Sequence, residues 1–527
     1  MRFSPFLLSL LAASVASQVF AANRPSGYTT ICKNDQTCSV ASATNVAFGR
    51  NDKFTYKVLS GTFVCGEVTF GTGTKVSGGV NECSIPSGTA SSSSQTASSK
   101  PAVSSAVSSS KSSVSSQIAS SIKSSIASSS SAANCLGNIN ASKTYYVSRN
   151  GSANANGSSF GAAMDLTSAL AAVKAGEMLL LEPGTYSVPY SAGKANTITL
   201  SKSGTASAPI RIVAANCGRA VIDFSFPEQA WVQDSYGVYL TGSYWYFKGI
   251  EITRAGYQGV YVTGKYNTFE NCAFHNNRNT GLEINKGGAY TTVINSDAYR
   301  NYDPKKNGSM ADGFGPKQTQ GPGNKFVGCR AWENSDDGFD MFDSPEIVTV
   351  ENSWAFRNGV DVWNYGSFAG NGNGFKLGGN KVVARNRITN SIAFDNPLKG
   401  FDQNNNAGGL TVLNNTAYRN GINYGLGNAV NSGEKHYLRN NISLSGTVNV
   451  SNADSKNNSW DTGPLAIAAD FVSLDLSLAT AARNSDGSLP VNNLFRLNSN
   501  SALIDKGVNV GLPYLGSAPD LGAFEKK

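Results

Sequence analysis

Phe274-His275-Asn276 followed by Gly281-Leu282, Tyr299-Arg300-Asn301 by Gly313-Phe314, and Trp332-Glu333-Asn334 by Gly338-Phe339 are three statements of one phrase. The phrase returns as Phe356-Arg357-Asn358 with Gly374-Phe375, Phe394-Asp395-Asn396 with Gly400-Phe401, and Tyr418-Arg419-Asn420 with Gly425-Leu426. Each copy is an aromatic, any residue, Asn, then a Gly before Phe or Leu. A recurrence at roughly 20–40 residues means stacked supersecondary units. The unit holds short apolar-alternating runs with Asn and Gly turns and no helical periodicity, so each copy is expected to form one coil of a parallel β-helix. Stacking turns alignment into geometry: equivalent residues of adjacent copies should lie about 4.8 Å apart, the spacing between strands.

Most of the phrase is architectural. Phe274, Tyr299, Trp332, Phe356, Phe394 and Tyr418 predict a stacked internal row. Asn276, Asn301, Asn334, Asn358, Asn396 and Asn420 predict an asparagine ladder at a coil corner, with amides bonded from rung to rung. The glycines allow turn conformations closed to other residues.

Chemistry is expected where the copies differ. Just before the repeat glycine stand Thr280, Asp312, Asp337, Asn373, Lys399 and Tyr424, so Asp312 and Asp337 should sit on adjacent rungs. Asp336 precedes Asp337, and Asp340 lies two residues past Gly338. Four carboxylates so placed, with few nearby bases, would repel one another unless a cation joined them. Hard oxygen ligands without His or Cys point to Ca²⁺ rather than Mg²⁺ in an exported protein. A solvated acidic edge is the plainer alternative. Two residues past the glycine stand Glu283, Gly315, Asp340, Lys376, Asp402 and Gly427. Lys376 is therefore expected on the rung beside Asp340, where a bound cation would disfavour its ammonium and make it a usable base.

An extended groove, a calcium site and a neighbouring amine suit an acidic sugar polymer. Calcium would bind a uronate carboxylate and acidify the C5 proton, Lys376 would remove that proton, and the 4-linked sugar would leave by β-elimination.

The flanking sequence sets the organisation. Met1-Arg2 and the apolar run Phe6 to Ala13, with Val19-Phe20-Ala21 as a cleavage site, predict a signal peptide over 1–21, a mature chain from Ala22 and a secreted protein. No later stretch approaches the ~20 apolar residues of a membrane span. The net charge of +8 comes without a Lys/Arg run, so neither nucleic acid nor membrane is an expected partner. A mildly basic secreted protein suits an acidic polymer, although many basic proteins have no such partner.

Residues 22–88 predict a small β-domain stapled by Cys32, Cys38, Cys65 and Cys83, which on its Ser-rich tether looks like a carbohydrate-binding module, with a stability or adhesion domain as the alternative. Residues 89–133, almost pure Ser and Ala, predict a flexible linker. Residues 134–527 form the large domain. There Asp165 is a helix N-cap, and Leu166 to Val173 are expected to be a short helix capping the open end of the solenoid. Coils are expected from Met178 and Ile210, and the pattern loosens from Ser443. Cys135 and Cys217 are placed to tie down the first turns. Cys272 and Cys329 fall two rungs apart, roughly 9–10 Å, beyond disulfide reach, and are expected to be buried thiols.

The segments Ala311-Asp312-Gly313-Phe314, Gly321-Pro322-Gly323-Asn324, Gly328 to Trp332, Asn334 to Asp340 and Gly372 to Gly379 closely resemble polysaccharide lyase family 9. The resemblance covers roughly residues 140–527, including the ending Ala518 to Phe524, and leaves out the N-terminal module and linker. It implies a right-handed parallel β-helix and a calcium-dependent pectate lyase, a monomer acting on an acidic plant cell-wall polysaccharide, polygalacturonate or pectate. The family's calcium aspartates match Asp312, Asp336, Asp337 and Asp340, and its catalytic lysine matches Lys376. The rival readings are a lyase on another acidic polymer such as rhamnogalacturonan, and a non-catalytic β-helical protein stabilised by calcium. A polygalacturonase-type hydrolase would need paired carboxylates and a Gly-His-Gly setting that neither His275 nor His436 has.

Overall fold

The computed structural model describes residues 24–25, 28–50, 53–71, 73–77, 79–86, 139–461 and 463–526. The expected signal peptide, linker and Cys135 lie outside them. The chain divides into two compact units, one before and one after residue 122.

The first unit is an antiparallel sheet with strand order Tyr28–Lys33, Glu82–Pro86, Thr37–Arg50 and Lys53–Val64. Its core is small: Val46 and Phe48 are fully buried, and Phe48 stacks on Phe70 with ring centroids 5.1 Å apart. Disulfides Cys32–Cys38 and Cys65–Cys83 add what so little buried apolar surface cannot supply.

The second unit is a parallel β-helix. Its three sheets hold ten, ten and twelve strands among the described residues, and neighbours in each sheet are three strands apart along the chain except where Thr144–Val147 joins Met178–Leu181, so each coil from Met178 on gives one strand to each sheet. Strand Thr144–Val147 ends the twelve-stranded sheet, and the helix Leu166–Ala172 covers that end by burying Ala169. Asp165 caps the helix by accepting from Ser168 N at 2.9 Å, as expected. At its other end Lys202 Nζ donates to the carbonyls of Leu170 (3.1 Å) and Val173 (2.9 Å). The sheets continue past Ser443 to the strand Ala453–Lys456, beyond which the chain lies over the outside of the solenoid. Cys272 and Cys329 are buried free thiols, and Cys217 is disulfide-bonded.

Two register corrections follow. In the first copy His275, not Phe274, pairs with Tyr299, and the ladder runs from Asn277, not Asn276. The stretch Phe274-His275-Asn276-Asn277 reads equally well in either register. The structure takes the one that buries Phe274 in the core, because a shift by one residue would turn it outward. Asn277, Asn301, Asn334, Asn358, Asn396 and Asn420 then form an amide chain with links of 2.8–3.1 Å, each donating Nδ2 to the next Oδ1. In the last copy a shorter turn pairs Phe401 with Tyr424 rather than Leu426.

The aromatic row stacks as expected but is not internal. His275, Tyr299, Trp332, Phe356 and Phe394 follow one another at 4.4–5.7 Å on the outer face. There the segment after Lys456 covers Phe356 and Phe394, with Trp332 at the edge, by Phe471, Leu494 and Phe495. The internal row is instead Phe314, Phe339, Phe375, Phe401 and Tyr424, with spacings of 4.8–5.2 Å.

Candidate active site

The site lies on the outward face of the sheet that contains this internal row. Phe339 and Phe375 point inward and are register partners, so the next residues, Asp340 and Lys376, are paired and point outward. Asp402 is the next partner of Lys376 along the sheet. Between Asn301 and Gly313, and again between Asn358 and Gly374, the turn of the repeat swells into a long loop. These loops supply Ser309, Met310 and Phe368 to Asn371 as walls of a cleft of about 580 Å³, floored by Lys317, Asp336, Asp340 and Lys376.

The carboxylates of Asp312, Asp337 and Asp340 offer oxygens that all lie within 4.8 Å of one another, and all three are buried. Asp312 accepts from Thr280 Oγ1 at 3.1 Å and from Asp337 N at 3.2 Å. Asp337 Oδ1 accepts from both N and Nδ2 of Asn373 at 2.8 Å, while Asn373 Oδ1 is buried with no hydrogen-bond partner. Asp336 stands at the rim of this trio, its two oxygens accepting Met310 N at 2.7 Å and Asn371 N at 2.6 Å, one from each loop. Burial, then the charge of Asp312, pushes its carboxyl up to about 6. Burial and the neighbouring aspartates also push Asp337 well up.

The expectation of few nearby bases is corrected. Lys317 Nζ donates to Asp312 Oδ2 at 2.6 Å and lies 3.4 Å from Asp340 Oδ2, with the whole residue 4% exposed. Lys376 Nζ donates to Asp337 Oδ2 at 3.0 Å and lies 3.5 Å from Asp340 Oδ1. Burial works against both ammonium groups, but the carboxylates outweigh it and raise both lysines above their ordinary value. For Lys376 this is the reverse of the shift expected beside a cation. Burial likewise opposes the Asp340 carboxylate, yet Lys376 and Lys317 together hold it below the usual range.

The donor set fits a calcium ion. Three buried carboxylates converge, a fourth stands at the rim, and an unpaired amide oxygen lies next to them. When ionised, the four aspartates exceed the two lysines by two negative charges, the charge of one divalent cation.

A family model described as the Pel9A-like, right-handed β-helix region matches residues 145–449. The chain belongs to that family. It is 69% identical to pectate lyase L of Dickeya dadantii (strain 3937) over 389 residues, covering 74% of this chain and 92% of that protein. The crystal structure of pectate lyase Pel9A matches with 69% identity and a TM-score of 0.73, covering 74% of this chain and 98% of that one. A rhamnogalacturonan lyase structure matches at 30% identity with a TM-score of 0.59, covering 68% and 97%. The resemblance read from the sequence is borne out, including the handedness of the helix, and the reading of the chain as a polysaccharide lyase stands with it.

In this Pel9A-like chain the structure gathers every residue singled out from the repeat: Asp312, Asp337 and Asp340 together, Asp336 at the rim, and Lys376 across them. What the comparison of copies did not place in the site is Lys317. Its sign is Gly315: a Cβ there would lie 3.2 Å from Lys317 Cε, so the missing side chain leaves the room in which Lys317 folds back over the strand. Of the other basic side chains on these coils, Arg385 pairs with Glu434 and Lys399 with Asp402.

Proposed function

We propose that this protein is a secreted, calcium-dependent pectate lyase that cleaves α-1,4-polygalacturonate by β-elimination, with Lys376 as the base. The observation that carries the reading is the pairing of Lys376 with Asp340 over a buried carboxylate trio, in a chain 69% identical to a pectate lyase.

Asp312, Asp336, Asp337 and Asp340 would hold the ion. Bound there, calcium would supply Lewis-acid stabilisation of the charge that develops on a uronate carboxylate. Lys376 Nζ takes the proton from C5. The C5–H electrons form the C4–C5 double bond, and the C4–O4 bond breaks to release the leaving sugar, whose anomeric oxygen, the former bridging atom, takes a proton. No water is consumed. Lys376 must be unprotonated to begin, and its present partners, Asp337 and Asp340, are what hold its proton. Engagement of those carboxylates elsewhere removes that hold, which ties the base to the state of the ligand set.

Residues 1–21 are proposed to export the chain, and the N-terminal disulfide-bonded sheet to act as a carbohydrate-binding module that raises the local substrate concentration.

The decisive experiment is ultraviolet absorbance of the unsaturated product on polygalacturonate, with calcium and with a chelator. Absorbance that rises only with calcium is expected. New reducing ends without absorbance would overturn the mechanism. The match to a rhamnogalacturonan lyase keeps that polymer as a second substrate to assay, and faster turnover on it would reassign specificity within the same chemistry.

A further inference from the structure

We infer that the aromatic surface around Tyr236 and Tyr239 is a distal subsite for the uncleaved polyuronate chain, an inference that rests on the lyase reading. The catalytic row runs outward along one sheet: Tyr239 pairs with Tyr261, Tyr261 with Glu283, and Glu283 with Gly315. Asp340 and Lys376 continue the same row, since Phe314 pairs with Phe339. Tyr261 is therefore four rungs from Lys376, roughly 19 Å at the usual inter-strand spacing.

At that distance the row turns aromatic. Tyr236 stacks on Tyr261 at 4.7 Å, nearly parallel at 18°, and lies 5.2 Å from Tyr239 and 5.8 Å from Tyr257. Trp231 meets Tyr257 edge-on at 5.5 Å, and its indole N–H is buried without an acceptor. Tyr261 is only 5% exposed beneath Tyr236, whereas Tyr236, Tyr239 and Tyr257 are part-exposed. The solenoid core does not need these rings, because the alternate residues Val238, Leu240, Val260 and Val262 fill it.

The surface is joined to the cleft. Gln318 of the cleft wall accepts from Asn285 Nδ2 at 2.9 Å. Asn285 also donates to Glu283 at 2.9 Å, as does Gln258, the neighbour of Tyr257. Lys286, exposed, places Nζ 5.8 Å from the Tyr261 ring centroid. Asp234 accepts from Tyr236 Oη at 2.7 Å on the same surface, so ring faces with the Lys286 cation at one side suit a sugar whose C–H faces stack and whose carboxylate turns towards Lys286. A polymer held at the cleft and lying along the sheet reaches them, and a short oligomer does not.

The test compares the full chain with Tyr236→Ala/Tyr239→Ala and Tyr236→Phe/Tyr239→Phe variants on long polygalacturonate and on trigalacturonate. For the Ala pair, KM on the polymer should rise about three- to tenfold with kcat unchanged, as loss of ring stacking implies. Constants on trigalacturonate should not move, and the Phe pair should restore the polymer KM. An unchanged polymer KM, or an equal rise on both substrates, would overturn the subsite. Retardation in gels containing polygalacturonate, repeated on a Lys376→Ala background, reads the subsite independently of turnover. Retardation weakened in the Ala pair relative to the chain with both tyrosines supports the subsite, and equal retardation overturns it. Absence of unsaturated product from the unmodified protein would count against the lyase reading alone.

Discussion

Asp340 and Lys376 are direct register partners on adjacent coils, with Lys376 Nζ 3.5 Å from Asp340 Oδ1. Both are placed by strand pairing above a stacked phenylalanine core, Phe339 on Phe375 at 4.8 Å, and not by a loop. The distance between base and ligand set is thus fixed by the same ladder that holds the solenoid together, the kind of support a precise site requires.

That placement separates charge from basicity. Lys376→Arg keeps a cation beside Asp337 and Asp340 but supplies one that stays protonated at any working pH. Product formation should fall by about 10²–10⁴ in both Lys376→Arg and Lys376→Ala, the usual scale for loss of a general base. Circular dichroism should be unchanged for the Arg variant. An Arg enzyme that kept more than about a tenth of the rate would remove Lys376 from the proton transfer.

Lys317 has a different task, because it faces two carboxylates from a buried position. Lys317→Met leaves Asp312 and Asp340 without that partner in a site water hardly reaches. Removing one member of a buried pair costs about 3–5 kcal/mol. Urea unfolding in the presence of chelator should show a loss of that order, and added calcium should recover part of it by occupying the charge left unpaired. A loss under about 1 kcal/mol would show that the lysine contributes little to holding the ligand set.

Much of this architecture was legible because the β-helix repeats itself. Asp312, Asp337, Asp340 and Lys376 emerged as departures from a pattern, and strand pairing places Lys376 beside Asp340 as the alignment required. What failed did so for stated reasons. Phe274-His275-Asn276-Asn277 supports two registers, and only three-dimensional burial chooses between them. The aromatic row seemed internal because its cover, Phe471 to Phe495, is distant in sequence and has no repeat of its own. Lys317 lies outside the repeat, so the comparison of copies assigns it no register position, and only the space over Gly315 reveals that it turns onto Asp312 and Asp340.

His436 gives a pH dependence away from the site. It is fully buried, accepts from Leu410 N through Nδ1 at 3.0 Å, and burial lowers its pKa to about 4. Unfolded, it would titrate near 6.5. A depressed folded value means that the contribution is complete above about pH 6.5 and is lost as pH falls towards 4, up to about 3 kcal/mol in all. The difference in urea midpoint between pH 7.5 and 4.5 should therefore be larger for the unmodified protein than for His436→Gln, which cannot titrate. Equal differences would show that the imidazole takes up its proton without unfolding cost.

The corrected register can be tested at two adjacent asparagines. Asn277 is fully buried; its Oδ1 accepts from Ala255 N at 3.1 Å and its Nδ2 donates to Asn301 Oδ1 at 3.0 Å. Asn277→Ala strands the buried Ala255 N–H, which costs about 1–3 kcal/mol, whereas Asn301 Oδ1 keeps the backbone N–H of residue 277 at 3.1 Å. Asn276 sits outside the ladder at φ 54°, touching the ring of His275 through Oδ1 at 2.8 Å. Asn276→Gly keeps access to that left-handed conformation and breaks no rung, so it should cost under about 1 kcal/mol. Thermal unfolding of the two variants should thus separate clearly, with Asn277→Ala the less stable. The opposite order would return the ladder to Asn276 and shift the first coil by one residue, turning Phe274 out of the core and His275 into it.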